Sequence, residues 1–202
     1  DISAEPIPVV PAAHYFCGGV LVDGWGRTTI EGLYAAGEVS CTGVHGANRL
    51  ASTSLLEGLL WGDRAGRDIA GRDDLEQVAN DEVPPWEDVG DNALADPVLV
   101  YRDRRSIQYV MWLYVGLARS TRRLGRALRD LNHIWEAIDG FYRATQLSDD
   151  LIGLRNLAQT ARVVTRAAWH NRQSRGAHYR EDSQADDSAS LYHTELLDEP
   201  WM

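Results

Sequence analysis

The chain contains no lysine: all 20 of its basic residues are arginine. That absence excludes the Schiff-base lysine of pyridoxal enzymes and the phosphate-gripping lysine of a P-loop. Cysteine is nearly as scarce. Cys17 and Cys41 are the only two, too few for a disulfide framework and in no metal-ligand spacing, so a reducing, cytoplasmic setting and no metal site are expected. No apolar run approaches the roughly 20 residues of a membrane span. There is also no initiator methionine and no signal-peptide pattern, because the chain opens at Asp1 on a Pro-rich extended segment, EPIPVVPAAHYFCGG. It reads as a piece cut from something longer.

What is present is an ordinary folded composition over 202 residues, 44% hydrophobic and 25% charged. The net charge of −10 is unevenly spread. Residues 1–100 hold 17 acids against 5 arginines, residues 101–180 hold 15 arginines against 6 acids, and residues 181–202 hold 7 acids and no base. The middle block alone has the charge of a nucleic-acid binder, but no aromatic-basic interleaving or nucleic-acid motif accompanies it. A basic helical unit docking on acidic stretches of its own chain accounts for the pattern, and no nucleic-acid partner is expected.

The local pattern divides the chain into four stretches. Residues 1–70 contain CGGVLVDGWGRTTIEGLYAAGEV, short β-prone runs broken at Asp23-Gly24, Gly26 and Gly32, which predict a β-hairpin followed by a strand, LYAA, that ends at Gly37. Residues 71–97 are rich in Asp, Glu, Pro and Gly and read as an acidic linker. Residues 98–173 change to helical period. One helix is predicted over 98–118, with Ile107, Val110, Met111, Tyr114 and Leu117 on one face. A second spans 121–142, with Leu124, Leu128, Leu131, Trp135 and Ile138. A third, capped by Ser148 or Asp149, carries Leu151, Leu154, Leu157, Ala161, Val164 and Ala168, making a three-helix bundle. Residues 174–202 read as an acidic tail. The fold class expected is α+β: a β-hairpin, a strand and a helix, then the three-helix bundle and the acidic tail.

The stretch HGANRLASTSLLEGLLWGDRAGRDIA, residues 45–70, poses the functional question. Ser54-Leu55-Leu56-Glu57 has the form of a capping box, so a helix is predicted to start at Ser54 with Glu57 reaching back to the cap. Past that start, Ser54, Gly58, Gly62 and Gly66 recur every four residues, and each helical glycine costs about 1 kcal/mol relative to alanine. Two readings account for the stripe: close approach of a cofactor oxygen or phosphate near the amides of Leu55 and Leu56, or a small-residue face packed on a sheet.

The run PVVPAAHYFCGGVLVDGWGRTTIEGLYAAGEVSCTGVHGANRLASTSLLEG closely resembles the C-terminal part of the FAD domain in the succinate dehydrogenase, fumarate reductase and L-aspartate oxidase flavoprotein family. Within it, ASTSLLE (51–57), MWLYVGLARSTRRLGRAL (111–128) and SRGAHYRED (174–182) are most similar to the L-aspartate oxidase branch. The resemblance extends to about residue 182. It departs from the family in lacking the G-x-G-x-x-G turn for the ADP part of FAD and the capping domain that carries the arginine proton donor. Those missing domains are the expected partners, no catalytic residue is expected in this stretch, and the fragment alone is expected to be inactive.

The resemblance implies roles for five residues. His14 and Arg49 would bind the carboxylates of a small dicarboxylate, Glu38 a hydroxyl of the FAD ribityl or ribose portion, and the backbone at Ser54 and Leu55 the pyrimidine edge of the flavin. His45, Asn48, Arg175 and His178 sit in matching motifs with no role assigned. The implied reaction is oxidation of L-aspartate to iminoaspartate, feeding quinolinate and NAD synthesis, with oxygen or fumarate as electron acceptor. A succinate dehydrogenase or fumarate reductase flavoprotein is the alternative, and a non-catalytic basic helical interaction module is a third reading.

Overall fold

The computed structural model describes residues 1–10, 12–72, 84 and 93–183. Most of the predicted linker and residues 184–202 of the predicted acidic tail lie outside those residues. The chain divides into two compact units, Asp1–Ala79 and Asn80–Met202. Among the described residues there are four helices and one two-stranded parallel sheet.

In the first unit, strand β1 (Val20–Leu21) pairs in parallel with β2 (Ser40–Cys41), Val20 opposite Ser40 and Leu21 opposite Cys41. The predicted hairpin is therefore corrected. Between the two strands a single antiparallel bridge, Arg27 to Tyr34, stands in place of a ladder, and LYAA is not a strand. The reason is competition from helix α1 (Ser54–Ala70). Trp61 Nε1 donates to the Asp23 carbonyl at 2.9 Å, an Arg64 guanidinium nitrogen donates to the Gly24 carbonyl at 3.1 Å, and Asp68 accepts from both Arg27 and the Tyr34 hydroxyl. Gly26, at φ +76°, brings this loop against the helix: a Cβ there would lie 3.3 Å from that of Ala65. The Arg27 guanidinium, followed by the Tyr34 hydroxyl, holds the Asp68 carboxyl down at about 2.

The second unit is the expected three-helix bundle: α2 (Pro97–Tyr114), α3 (Thr121–Ala144) and α4 (Asp149–His170). Each start is chemically marked. The Asp96 side chain accepts from the Val98 N–H with Pro97 following it, Ser120 accepts from the Arg123 N–H, and Ser148 accepts from the Leu151 N–H with Asp149 and Asp150 in the first turn. Ile107, Leu124, Leu131, Ile138, Leu151 and Leu154 are fully buried, each contributing about 1.5–3 kcal/mol. Helix α2 stops at Tyr114, short of the predicted 118, and Leu117 is 69% exposed instead of lining the core. A Cβ at Gly116 would crowd the Trp112 carbonyl at 2.5 Å, and the Arg119 Nε–H takes the carbonyls of Val115 and Gly116 at 2.9 and 3.0 Å. These contacts replace the next helical turn.

Residues 174–183, the described part of the stretch read as an acidic tail, clamp the ends of two helices. Arg180, 2% exposed, donates to the carbonyls of Ala168, Trp169 and Asn171 at the end of α4. It also donates to Thr121 Oγ1 and Asp182. Asp182 in turn accepts from the Thr121 N–H at 2.6 Å at the start of α3. A guanidinium thus satisfies a helix C-terminus and a carboxylate a helix N-terminus, each matched to the local dipole. Further arginines of the basic block pair within their own unit, Arg104 with Asp150, Arg126 with Asp130, Arg143 with Asp139 and Arg123 with Glu181.

His178 sits inside this clamp. Its Nδ1 accepts from Arg119 at 2.8 Å and its Nε2–H donates to the Asn171 carbonyl at 3.0 Å, a pattern that only the neutral ring can satisfy. Burial, aided by Arg119 and Arg180, pushes its pKa below the ordinary 6.5. The unfolded chain therefore binds the extra proton more readily than the folded one. Stability from this site is complete above 6.5 and is lost as pH falls below it. Thermal melts between about pH 7.5 and pH 5 should show a declining Tm for the second unit, and His178→Gln should flatten that decline.

Candidate functional site

The site is assembled where the β1–β2 crossing meets the start of α1. Gly18 and Gly19 take φ of +113° and +117°, and a Cβ on Gly19 would overlap the Val39 carbonyl oxygen. That close passage lets the Val20 N–H donate to the same carbonyl at 2.8 Å. It also brings the segment before β1 alongside residues 38–41, where the Phe16 N–H donates to Glu38 Oε1 at 2.9 Å.

Glu57, one turn into α1 and 4% exposed, is the polar centre. Its Oε2 accepts from the Tyr15 hydroxyl at 3.3 Å and from His45 Nε2 at 2.7 Å, and its Oε1 accepts from Thr42 Oγ1. The His45 Nδ1 accepts from the Leu50 N–H at 3.1 Å, which assigns the ring proton to Nε2 and leaves the imidazole neutral. The Tyr15 and His45 rings meet edge to face, their centroids 5.0 Å apart. Burial, with the Glu57 carboxylate beside it, pushes the Tyr15 phenol up and keeps it a hydrogen-bond donor. The predicted capping box is therefore corrected. Thr53 precedes the helix without a side-chain cap, and Glu57 turns inward to its three donors instead of back to the helix start.

The five residues named from the sequence are distributed as follows. Arg49 and Ser54 touch, the Arg49 Nε–H donating to Ser54 Oγ at 2.8 Å, while the Arg49 guanidinium lies over the Tyr15 ring at 4.7 Å. His14 is exposed and directly precedes Tyr15 in the chain. Glu38 is exposed and tied to the backbone of Phe16, two residues beyond His14. Leu55 stands 88% exposed at the head of α1. Tyr15, His45 and Glu57 were not assigned site roles from sequence. The spacing of Glu57 from Ser54 concealed it, because a buried acid three residues after a helix-start serine has the same pattern as a capping box.

The helix start has free capacity. Among the described residues the backbone N–H groups of Ser54, Leu55 and Leu56 have no protein partner. The chain enters through Ser52 at φ +67°, a left-handed conformation unusual for a residue other than glycine. Of the predicted glycine stripe, a Cβ at Gly58 would lie 3.6 Å from the Gly37 Cα, while Gly62 and Gly66 face open space. Amide donors, the positive end of a helix dipole and the apolar Leu55 together suit a planar group with an electron-rich edge. No group of three or more candidate metal ligands occurs among the described residues, and no helix there is long and apolar enough to cross a membrane.

Two family models match the chain: one described as FAD binding domain over residues 1–55, and one described as fumarate reductase flavoprotein C-term over residues 104–200. The L-aspartate oxidase of Yersinia pestis is 46% identical over 179 residues, 89% of this chain and 33% of that protein. The chloroplastic L-aspartate oxidase of Arabidopsis thaliana is 41% identical, covering 90% of this chain and 30% of that protein. This chain thus spans about a third of the length of these curated relatives. Among solved structures, a quinol-fumarate reductase with menaquinol molecules aligns over 95% of this chain and 36% of its own, with a TM-score of 0.75 and 27% identity. A variant of the E. coli quinol fumarate reductase aligns over 93% and 35%, with a TM-score of 0.73 and 26% identity.

The crossing at Gly19 is the mechanical support of the site. Gly19→Ala should destabilise the first unit by about 2 kcal/mol or more, since it adds strain at a positive φ to a backbone clash. Urea unfolding followed by tryptophan fluorescence measures the loss.

Proposed function

We propose, from its similarity to the FAD binding domain and fumarate reductase flavoprotein C-term models and to curated L-aspartate oxidases, that this chain forms the substrate-facing and flavin-facing part of an FAD-dependent L-aspartate oxidase. In that role it acts within a protein of its relatives' full length. One observation carries the reading. The Arg49 guanidinium is fixed through its Nε at Ser54 and over the face of Tyr15, the chain neighbour of His14, and its two terminal nitrogens have no partner among the described residues. A planar fork held by its third nitrogen is oriented for a carboxylate before one arrives.

The donor set at the start of α1 fits FAD. The N–H groups of Ser54 and Leu55 offer hydrogen bonds and the positive dipole end to the electron-rich edge of the ring. Leu55 offers an apolar contact, and the Glu38 oxygen not engaged by Phe16 is available to a hydroxyl. When bound, FAD supplies the hydride acceptor. The chain's own residues do the rest by placement. Arg49 and His14 bind the carboxylates of L-aspartate and so hold its Cα at a fixed distance from the ring, where small displacements are costly in rate. The product is iminoaspartate, a precursor for quinolinate and NAD synthesis, and oxygen or fumarate takes the electrons. The two free thiols, Cys17 and Cys41, suit a reducing compartment such as the cytoplasm.

Two measurements on the full-length enzyme test this reading. Under anaerobic stopped flow, L-aspartate should bleach the flavin rapidly and oxygen should restore it with release of hydrogen peroxide. Succinate should bind but bleach poorly, since it has no amine lone pair to assist hydride departure; rapid bleaching by succinate alone would move the protein to the succinate dehydrogenase branch. In steady-state kinetics, Arg49→Lys should lower kcat/KM by about 100-fold with FAD content unchanged, because a point charge cannot reproduce the fork.

A further inference from the structure

We propose that Glu57 is a positioning residue for the dicarboxylate clamp, the buried anion that sets where both Arg49 and His14 stand. This rests on the reading of Arg49 and His14 as substrate ligands.

Arg49 is located from two directions, and both lead back to Glu57. Its guanidinium lies over the Tyr15 ring, and the Tyr15 hydroxyl donates to Glu57 Oε2. Its main chain is followed by Leu50, whose N–H is bound by His45 Nδ1, and the opposite nitrogen of the same imidazole donates to the same carboxylate oxygen. Because His45 is neutral, it works as a strut: one nitrogen accepts from the loop while the other delivers a proton to Glu57. Tyr15 carries a second duty, since it is the chain neighbour of His14. A fixed phenol at Glu57 therefore fixes the backbone from which His14 projects. Thr42 supplies the third donor, to Oε1, and joins the loop after β2 to the same point.

Carboxylate chemistry is required here. Three donors converge on two oxygens, and an ionised carboxylate offers acceptor sites only, about four of them. Glutamine would place an N–H2 among hydroxyl and imidazole donors, and at least one of them would have to turn away. Glu57 contacts neither substrate nor flavin in this reading, so its influence reaches the reaction through Tyr15 and His45.

The test uses the full-length flavoenzyme with succinate as the binding probe in calorimetry and L-aspartate in kinetics. Tyr15→Phe keeps the ring beneath Arg49 and removes only the bond to Glu57. It should raise the succinate Kd about threefold to tenfold, raise the KM for L-aspartate by a similar factor with kcat little changed, and leave FAD content unaltered. Glu57→Gln should weaken succinate binding by more than tenfold. Combining it with Tyr15→Phe should add little further loss, because both remove the same link. Should Glu57→Gln fail to fold, Tyr15→Phe decides alone. Unchanged succinate binding in Tyr15→Phe, or losses that simply add in the double variant, would overturn the inference. If the unaltered enzyme binds no C4 dicarboxylate, the functional reading itself fails and this inference falls with it.

Discussion

A buried carboxylate with three hydrogen-bond donors is the constraint on which the first unit depends. Moving Glu57 out of water is costly for an ion of that size, and the cost is offset only because Tyr15, Thr42 and His45 all donate to it. Tyr15 comes from the segment before β1, and Thr42 and His45 from the loop between β2 and α1, so satisfying one anion ties two segments of chain to the helix. The helix gives up something in return. With Glu57 turned inward and no side-chain cap on Thr53, the first N–H groups of α1 are left for another acceptor. In an ordinary helix that is a loss of about 1 kcal/mol; in the proposed enzyme it is the feature that faces the flavin.

The two units are stabilised in different ways. The bundle has a continuous apolar core, from Ile107 through Leu124, Leu131 and Ile138 to Leu154. The first unit buries little apolar surface and is held instead by side-chain ties to α1 from Asp23, Gly24, Arg27 and Tyr34. Its helix leaves Leu55, Leu56 and Leu59 largely exposed. An apolar face of this kind is what a cofactor or another domain covers, and the relatives are about three times as long as this chain. The residues that hold the site in shape are accordingly polar and few, and single changes among them have consequences at a distance.

The charge asymmetry has a mechanical explanation within the bundle. Arg180 donates two hydrogen bonds to Asp182 while each serves a different helix end. Arg162 is buried, with its Nε on Asn132 and its guanidinium over Trp135 at 4.9 Å. Arginine tolerates such settings because its charge is delocalised and its donors are spread around a plane. A chain without lysine can in this way bury two cations, Arg162 and Arg180, inside its helical unit, while exposed pairs such as Arg126–Asp130 and Arg143–Asp139 add little individually.

The sequence by itself determined the elements whose signals are local. Apolar residues at helical spacing and the marked start at Ser148 defined the bundle, and the text around His14, Glu38, Arg49, Ser54 and Leu55 pointed to a flavoprotein site. Tertiary structure decided everything that depends on which of two partners wins. Glu57 had a local partner in the helix start and distant ones in Tyr15, Thr42 and His45; the distant set prevailed because burial makes an anion with several donors far better than one with a solvated cap. The segment from Cys17 to Glu38 had strand-forming residues, yet α1 took its polar groups, so the antiparallel pairing shrank to the Arg27–Tyr34 bridge while Val20 paired in parallel with Ser40. SRGAHYRED stood out in sequence only as a family-like motif at the head of an acidic tail; it is a clamp because two helix ends 49 residues apart in sequence, at Thr121 and His170, offered unsatisfied amides and carbonyls to one guanidinium and one carboxylate. Such choices are set by free energies between residues far apart in the chain, and local spacing carries no record of them.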